Sequence, residues 1–269
     1  MRNLRLILSY DGSEFSGWQV QPDRTTVQGT LASAIGRLTG ENVLPQGSGR
    51  TDAGVHALAQ VVSFSTAAAI PVGNWVKALN DILPASIRVL EVGEAAADFH
   101  ARKSARAKIY RYRMYRGAVC PPFLARYVWH YPFPLQEDQM ANAAGLVVGE
   151  HDFTSFAAVD PERLERVATE ENLNHREHGG AQRQAENHGT NVRTIFSSAW
   201  SREGDELIYT VRGSGFLHHM VRNLVGTFLL VGKGTLTPDD FRGIIEARNR
   251  SAAGPTAPAS GLYLVGVEY

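Results

Sequence analysis

Leu4-Arg5-Leu6-Ile7-Leu8, near the start of the chain, is the stretch from which the fold can be worked out. Its nearly alternating apolar and polar side chains predict a β-strand with one buried face. The apolar pattern then predicts a helix at about 27–38, a short strand near 43–44, a strand at about 59–64, a helix at about 75–82 and a strand near 87–92. The resulting order, β-α-β-β-α-β, is that of a ferredoxin-like unit.

The remaining chain repeats that order with added elements. We predict strands near 109–115 and 127–131, a helix at about 137–147, strands near 194–200 and 207–211, a long helix after Phe216, a short one near Asp239 and a final strand at 262–267. The sequence therefore predicts an α+β protein of two ferredoxin-like (RRM-like) halves, residues 1–104 and 105–269. We expect their antiparallel sheets to pack around a central active-site cleft.

A polar segment at about 160–191 interrupts the second half. It is rich in Glu, Arg, His, Asn, Gln and Gly, with hardly a large apolar residue after Val167, so it cannot bury enough surface to form part of a core. We interpret it as an exposed insertion. Its histidines, His175, His178 and His188, are typical of solvated side chains, and we predict no metal site.

The composition limits the kinds of partner. Lys and Arg number 27, as do Asp and Glu, so the formal net charge is zero and any nucleic-acid binding has to rest on local clusters. Cys120 is the only cysteine, which excludes an internal disulfide and a cysteine-based zinc site. The chain starts on a strand-like run, not a secretory signal, and lacks an apolar stretch of membrane-spanning length. We therefore expect a cytoplasmic protein.

The Gly-rich loop at 47–56 is the first candidate for chemistry. Its glycines let the backbone approach a ligand closely, while Arg50 and Asp52 supply a charged pair. No second carboxylate lies nearby in sequence, so a catalytic Asp52 would act as a solitary carboxylate. An Asp in such a loop also commonly forms a turn or caps a helix, and spacing alone favours that simpler role.

The apolar helix after Phe216 contains the second candidate, Arg222. The apolar stripe of this helix comprises Leu217, Val221, Leu224, Val225 and Phe228. Burying a guanidinium in so apolar a helix is costly unless it meets a carboxylate, so Arg222 predicts an acidic partner, for which Asp52 is our candidate. A structural Asp or a backbone carbonyl is the alternative partner.

A basic stretch at 102–116 is the third candidate. It contains three tyrosines, no acidic residue and seven basic side chains: Arg102, Lys103, Arg106, Lys108, Arg111, Arg113 and Arg116. This composition favours a surface for phosphates and bases. Period-two alternation places Tyr110 on one strand face, where it is suited to stack on a base and to transfer a proton. Ordinary strand packing explains a tyrosine there equally well.

Motifs along nearly the whole chain resemble those of the bacterial tRNA pseudouridine synthase A family. The most specific is Gly49-Arg50-Thr51-Asp52-Ala53-Gly54-Val55-His56-Ala57. The others, in order, are Tyr10–Gln19, Thr26–Gln28, Ala107–Tyr112, His151–Phe156, Gly215–Gly226, Ala257–Pro258 and Gly261–Leu264. The resemblance favours a catalytic Asp52 over a turn residue and implies the pseudouridine synthase fold.

The resemblance also implies an activity. It implies isomerisation of uridine to pseudouridine at positions 38, 39 and 40 in the anticodon stem-loop of tRNA, without metal or organic cofactor, by a homodimer that holds the tRNA between its subunits. Asp52 would attack or deprotonate the nucleoside, at the sugar or at the base. Tyr110 would stack on the uracil and take the C5 proton, and Arg222 would pair with Asp52 and orient it.

Substrate-binding roles follow from the same resemblance. Arg50 would help to extrude the target base, and Leu262 would wall the pocket. Lys103 and Arg106, in the basic stretch, are expected to bind RNA phosphates. The family usually has a shorter connection where this chain has the segment 160–191, so tRNA contacts from that segment do not carry over. Two alternatives stay open: a pseudouridine synthase with another RNA site, and a tRNA-binding protein without catalytic activity.

Overall fold

The structure is a computed structural model that describes residues 1–158 and 191–269. The strands over these residues are β1 (Arg2–Tyr10), β2 (Gln46–Gly47), β3 (His56–Thr66), β4 (Ile87–Ala95), β5 (Ala107–Tyr115), β6 (Trp129–His130), β7 (Gly149–Asp152), β8 (Val192–Glu203), β9 (Glu206–Gly213) and β10 (Leu262–Glu268). The helices are α1 (Val27–Thr39), α2 (Val72–Ile82), α3 (Glu137–Gly145), α4 (Met220–Gly232) and α5 (Pro238–Ala247).

The chain forms two compact units. The first consists of Met1–Pro134, Ile195–Ser214 and Ala257–Tyr269, and the second of Leu135–Thr194 and Gly215–Thr256. This grouping reflects spatial contacts, whereas the halves 1–104 and 105–269 were defined by a repeated order of elements. The division into those halves stays a prediction.

The first six elements confirm the predicted β-α-β-β-α-β order. Strand β1 pairs antiparallel with β3 on one side and with β4 on the other, and β2 pairs antiparallel with β3. Leu4, Leu6 and Leu8 of β1 are fully buried, as their alternation predicted. Helix α1 begins at the cap Thr26, whose hydroxyl accepts the Gly29 N–H, and ends at a left-handed glycine at residue 40.

Four later strands repeat the same arrangement. They lie side by side as β10-β5-β9-β8, each neighbour antiparallel, which corresponds to the order β4-β1-β3-β2 of the first set. The two sets join where β10 pairs in parallel with β3. The α+β fold class with a mostly antiparallel sheet is therefore confirmed, and each set of four strands has ferredoxin-like order.

The second unit is built on helices α3, α4 and α5. In α4 all residues except Arg222 and Leu230 are buried, as the wide apolar stripe predicted. Phe228 of α4 stacks on Phe241 of α5 with ring centroids 4.8 Å apart, and Phe156 lies 5.6 Å from the same ring. These aromatic contacts form the core of the unit.

Two local predictions were inaccurate, and one concerns residues that the structure does not describe. The short strand expected near 43–44 is β2, at Gln46–Gly47, and β7 was not predicted because its residues, Gly-Glu-His-Asp, have no apolar alternation. Residues 160–190 of the polar segment, with their three histidines, lie outside the described residues. Within the described ranges, no helix combines the length and apolar character needed to cross a membrane.

Candidate active site at the loop carrying Asp52

The loop between β2 and β3 is anchored first at Ser48 and Gly49. The Ser48 N–H donates to the carbonyl oxygen of Val61, 2.8 Å away, and the Ser48 hydroxyl donates to Oε1 of Gln60 at 2.5 Å. The Gln60 amide donates in turn to the Gly49 carbonyl at 2.8 Å. Ser48 and Gln60 are fully buried, so these polar contacts hold the start of the loop tightly against β3.

Thr51 provides the second anchor, directly before Asp52. The Trp18 N–H donates to the Thr51 carbonyl at 2.9 Å. On the other side, the hydroxyls of Thr51 and Tyr10 lie 2.8 Å apart. The backbone is thus fixed immediately before Asp52, which sets the direction in which the Asp52 side chain leaves the loop.

Gly17 allows the chain to approach Thr51 this closely. Its φ is +90°, and a Cβ at this position would lie 2.7 Å from the Thr51 carbonyl oxygen. An alanine would be strained by its backbone conformation and would also collide with backbone atoms.

We expect Gly17→Ala to lower the free energy of unfolding by about 1–3 kcal/mol and to lower activity by displacing Thr51. Urea denaturation and a rate assay on the same protein check this. Gly73→Ala is the control: this glycine lies in α2 with nothing within 4 Å of its would-be Cβ, so its effect should stay below about 1 kcal/mol. Equal stability of wild type and Gly17→Ala would contradict the expectation.

Asp52 itself is half-buried at the start of a tight turn. The Val55 N–H donates to the Asp52 carbonyl at 3.1 Å, and Gly54 has φ +78°. The turn and a catalytic role are compatible, because the turn uses the backbone carbonyl of Asp52 and does not use its carboxylate. Arg50, on the same loop, is also half-buried.

Tyr110 lies close to this carboxylate, on β5 between Val211 of β9 and Leu264 of β10. It is 7% exposed. Burial raises the pKa of the Tyr110 hydroxyl, and the nearby Tyr10 and Asp52 raise it further. Tyr110 is therefore a neutral phenol at neutral pH, and the structure brings together two of the residues selected from sequence, Asp52 and Tyr110.

Leu262 is buried at the start of β10, where it pairs with Tyr112. The Tyr112 hydroxyl donates to the Pro258 carbonyl at 2.9 Å, and Gly261 lies against the same ring. The position of Leu262 is therefore set by the residues around it. Its neighbour Leu264, fully buried, is the residue of β10 in register with Tyr110.

The third selected residue, Arg222, lies on α4 in the second unit. It is half-buried, so it bears less of the burial cost than its apolar helix suggested. The next residue, Asn223, is fully buried: its amide donates to the Phe156 carbonyl at 2.7 Å, and its Oδ1 accepts from Thr256 at 2.6 Å and from Arg250 at 3.1 Å. Asn223 therefore fixes the helix turn that carries Arg222. The pairing of Arg222 with Asp52 stays a prediction.

Of the basic stretch, Lys103 and Arg106 are exposed, as expected for phosphate-binding residues. Arg113 forms a two-point ion pair with Glu206, both N–O distances being 2.6 Å, and so its charge is neutralised within the protein. The Lys108 ammonium lies beside Gly49 and brings positive charge to the loop of Asp52. The basic surface is thus smaller than the sequence suggested.

Sequence reasoning overlooked a buried cluster around His56, at the far end of the loop. The Gly12 N–H donates to Nδ1 of His56 at 3.1 Å, and Oδ1 of Asp11 lies 3.2 Å from the same nitrogen. Burial lowers the pKa of His56, although Asp11 opposes this shift. The imidazole stacks on Tyr263 of β10 at 4.8 Å. His56 therefore ties the end of the loop to β10.

The repeated strand order, together with the anchored loop that places Asp52 beside a buried tyrosine, is the arrangement expected of the pseudouridine synthase class. The family model described as tRNA pseudouridine synthase matches residues 6–102 and 175–269. The chain belongs to this family.

Individual relatives agree over the full length. The chain is 48% identical over 269 residues to the tRNA pseudouridine synthase A of Solibacter usitatus (strain Ellin6076), covering 100% of both chains. It is 46% identical to the enzyme of that name from Moorella thermoacetica, covering 99% of both, and 44% identical to that of Brevibacillus brevis, covering 100% of both.

Proposed function

We propose that this protein isomerises uridine to pseudouridine in tRNA, at positions 38, 39 and 40 of the anticodon stem-loop. The observation that carries the proposal is the placement of one half-buried carboxylate, Asp52, on an anchored loop beside the buried phenol of Tyr110. Membership of the family and three relatives named tRNA pseudouridine synthase A support the substrate.

A solitary carboxylate is sufficient for this reaction. Asp52 adds to the nucleoside or deprotonates it, the bond from C1′ to N1 breaks, the uracil turns, and a bond from C1′ to C5 forms. C5 loses a proton and N1 gains one, so the change is an isomerisation that consumes no other reactant. No acid/base carboxylate pair of the glycosidase kind is needed, because water does not become part of the product.

Tyr110 is assigned to the uracil. Its ring stacks on the base, and its hydroxyl faces the site as a neutral donor, because burial raises its pKa. If the hydroxyl takes the C5 proton, it has to give up its own proton in the same step. Asp52, the neighbouring carboxylate that raises the pKa of this hydroxyl, is the group placed to accept that proton.

The remaining residues position the substrate. Arg222 pairs with Asp52 and orients it, while Arg50 takes part in flipping the uridine out of its stack. Leu262 forms a wall of the pocket. We further propose that the enzyme works in the cytoplasm, where tRNA is used, as a homodimer that holds one tRNA between its subunits, and without metal or organic cofactor.

Release of tritium tests the function directly. The wild-type protein is incubated with tRNA carrying tritium at C5 of uridine, and the modified positions are mapped by sequencing. We expect release together with pseudouridine at 38, 39 and 40. Binding of tRNA without release contradicts the enzymatic proposal, and release from other positions contradicts the site choice.

Lys103→Gln/Arg106→Gln is expected to weaken tRNA binding. Because both residues are exposed and each neutralises about one phosphate, the slope of log K against log salt should decrease by about 1.4–1.8. Filter binding at several salt concentrations measures this. Arg242→Gln, which removes an exposed arginine already paired with Asp239 at 3.0 Å, is the control. A slope equal to that of wild type would remove Lys103 and Arg106 from the RNA surface.

A further inference from the structure

A groove beside helix α1 has no role in the chemistry described above. Its volume is about 360 Å³, and it lies entirely within the first unit. Among its lining residues are Thr26, Thr30, Ser33 and Arg37, which follow one another at spacings of four, three and four along the chain and so lie on one face of α1. Arg24, in the segment before the helix, extends this polar face at one end.

Two uncompensated positive charges line the groove. Arg24 and Arg37 are exposed, and within residues 1–158 and 191–269 neither guanidinium has an ion-pair partner. Other arginines, such as Arg113, are neutralised by glutamate. Among the described residues no carboxylate lines the groove. Two acidic residues are next in sequence to lining residues: Asp81 is paired with Lys77 at 2.6 Å, and Asp23, beside Arg24, is exposed, so the two arginines leave an excess of positive charge. The groove therefore attracts anions.

The hydroxyls of the groove complete a set of hydrogen-bond donors. The Thr26 hydroxyl caps α1, and the Thr30 hydroxyl donates to the Thr26 carbonyl at 2.9 Å. Thr25 and Ser33, both exposed, are not engaged in this way. The hydroxyls of Thr25 and Ser33 and the two guanidiniums can therefore donate hydrogen bonds to a ligand. The oxygens of a phosphodiester match this set, because they accept hydrogen bonds and donate none.

The polar face is long enough to contact more than one phosphate of a nucleic-acid chain. From Thr26 to Arg37 the helix rises about 16 Å, since each residue adds about 1.5 Å. Successive phosphates of a nucleic-acid backbone can contact such a face at more than one place along it, whereas one inorganic phosphate covers only a small part of it.

The groove is also coupled to the loop of Asp52. The Val27 N–H at the start of α1 donates to the Gly17 carbonyl at 3.1 Å, and the Gln28 N–H donates to the Trp18 carbonyl at 3.0 Å. The Trp18 N–H donates to Thr51, beside Asp52, at 2.9 Å. The segment that anchors the catalytic loop therefore also begins the groove, which suits a contact with the same substrate.

We propose that the groove binds the sugar-phosphate backbone of the tRNA substrate, with Arg24 and Arg37 each contacting a phosphate. The identity of the RNA rests on the proposed function, whereas the chemistry of the groove does not.

The double variant Arg24→Gln/Arg37→Gln tests the proposal by equilibrium binding of tRNA over a range of salt. We expect binding to weaken about tenfold or more at moderate salt and the slope of log K against log salt to decrease by about 1.4–1.8. Both side chains are exposed, and neither has an ion-pair partner within the described ranges, so the thermal unfolding midpoint should match that of wild type, which shows that the fold is intact. Arg242→Gln, which removes an exposed arginine of the second unit that is paired with Asp239, should bind tRNA like wild type.

Three results would overturn the proposal. One is unchanged affinity and salt slope in the double variant, and another is an equal loss in Arg242→Gln, which would indicate an effect of net charge alone. The third is stabilisation of wild type, but not of the double variant, by inorganic phosphate without any change in tRNA binding, which would make the groove a small-anion site. Binding is measured without turnover, so failure of the tritium assay would affect the proposed function and leave this test intact.

Discussion

Asp52→Asn is expected to abolish pseudouridine formation, with a fall in single-turnover rate of about 10⁴-fold or more. Asparagine has nearly the same size and can keep the turn from the Asp52 carbonyl to the Val55 N–H, so the loop should hold its shape. It lacks the negative charge and the nucleophilic oxygen. Because the chain offers no second carboxylate in this loop, no neighbouring group is placed to take over the role.

The control for this variant is Asp239→Asn. Asp239 is an exposed carboxylate of α5, 85% accessible, and its loss should leave the rate unchanged. Tritium release is the measurement for both, with tRNA affinity measured in parallel. Continued release by Asp52→Asn would refute the assignment of the nucleophile. If Asp52→Asn keeps its affinity for tRNA but loses tritium release, the wild-type protein is an enzyme and does not only bind tRNA.

Arg222→Ala is expected to have the second largest effect, a fall in rate of about 100-fold or more with little change in tRNA affinity. Loss of a partner guanidinium would leave Asp52 unoriented, and small misplacements of a catalytic group have effects of this size. Affinity should persist because it comes mostly from phosphate contacts elsewhere. The neighbouring Asn223 network should keep α4 in place, so the variant should fold.

Rate and affinity have to be measured on the same preparation of Arg222→Ala. Arg242→Ala on α5 is the matched control, since it removes an exposed arginine from the same unit. A proportional loss of rate and binding would mean that Arg222 contacts RNA and does not orient Asp52. A wild-type rate would exclude the proposed pair altogether.

Much of the fold was predictable because burial imposes a period on the sequence. Leu4, Leu6 and Leu8 alternate along β1, and the apolar stripe of α4 recurs every three to four residues. Strand β7 escaped notice because a short polar strand has no such period. The position of β2 was missed by two or three residues because a two-residue strand is defined by its pairing with β3, which is a tertiary contact.

The candidate site was predictable only in part. Asp52, Tyr110 and Arg222 were selected from motifs, and a carboxylate and a tyrosine of that set lie close together. Their supports were not predictable, because Tyr10 and Thr51 are 41 residues apart in sequence and Asn223 and Thr256 are 33 apart. Neither separation leaves a local pattern.

By itself, the sequence determined the family and most of the order of strands and helices, and it singled out Asp52 as the candidate carboxylate, because these depend on local periodicity and on contiguous motifs. Only the tertiary structure decided how Asp52 is held, that Arg113 is neutralised by Glu206, and that Arg24 and Arg37 face one groove with no ion-pair partner among the described residues. These features depend on which distant side chains meet. Folding determines those contacts, and composition and spacing do not reveal them.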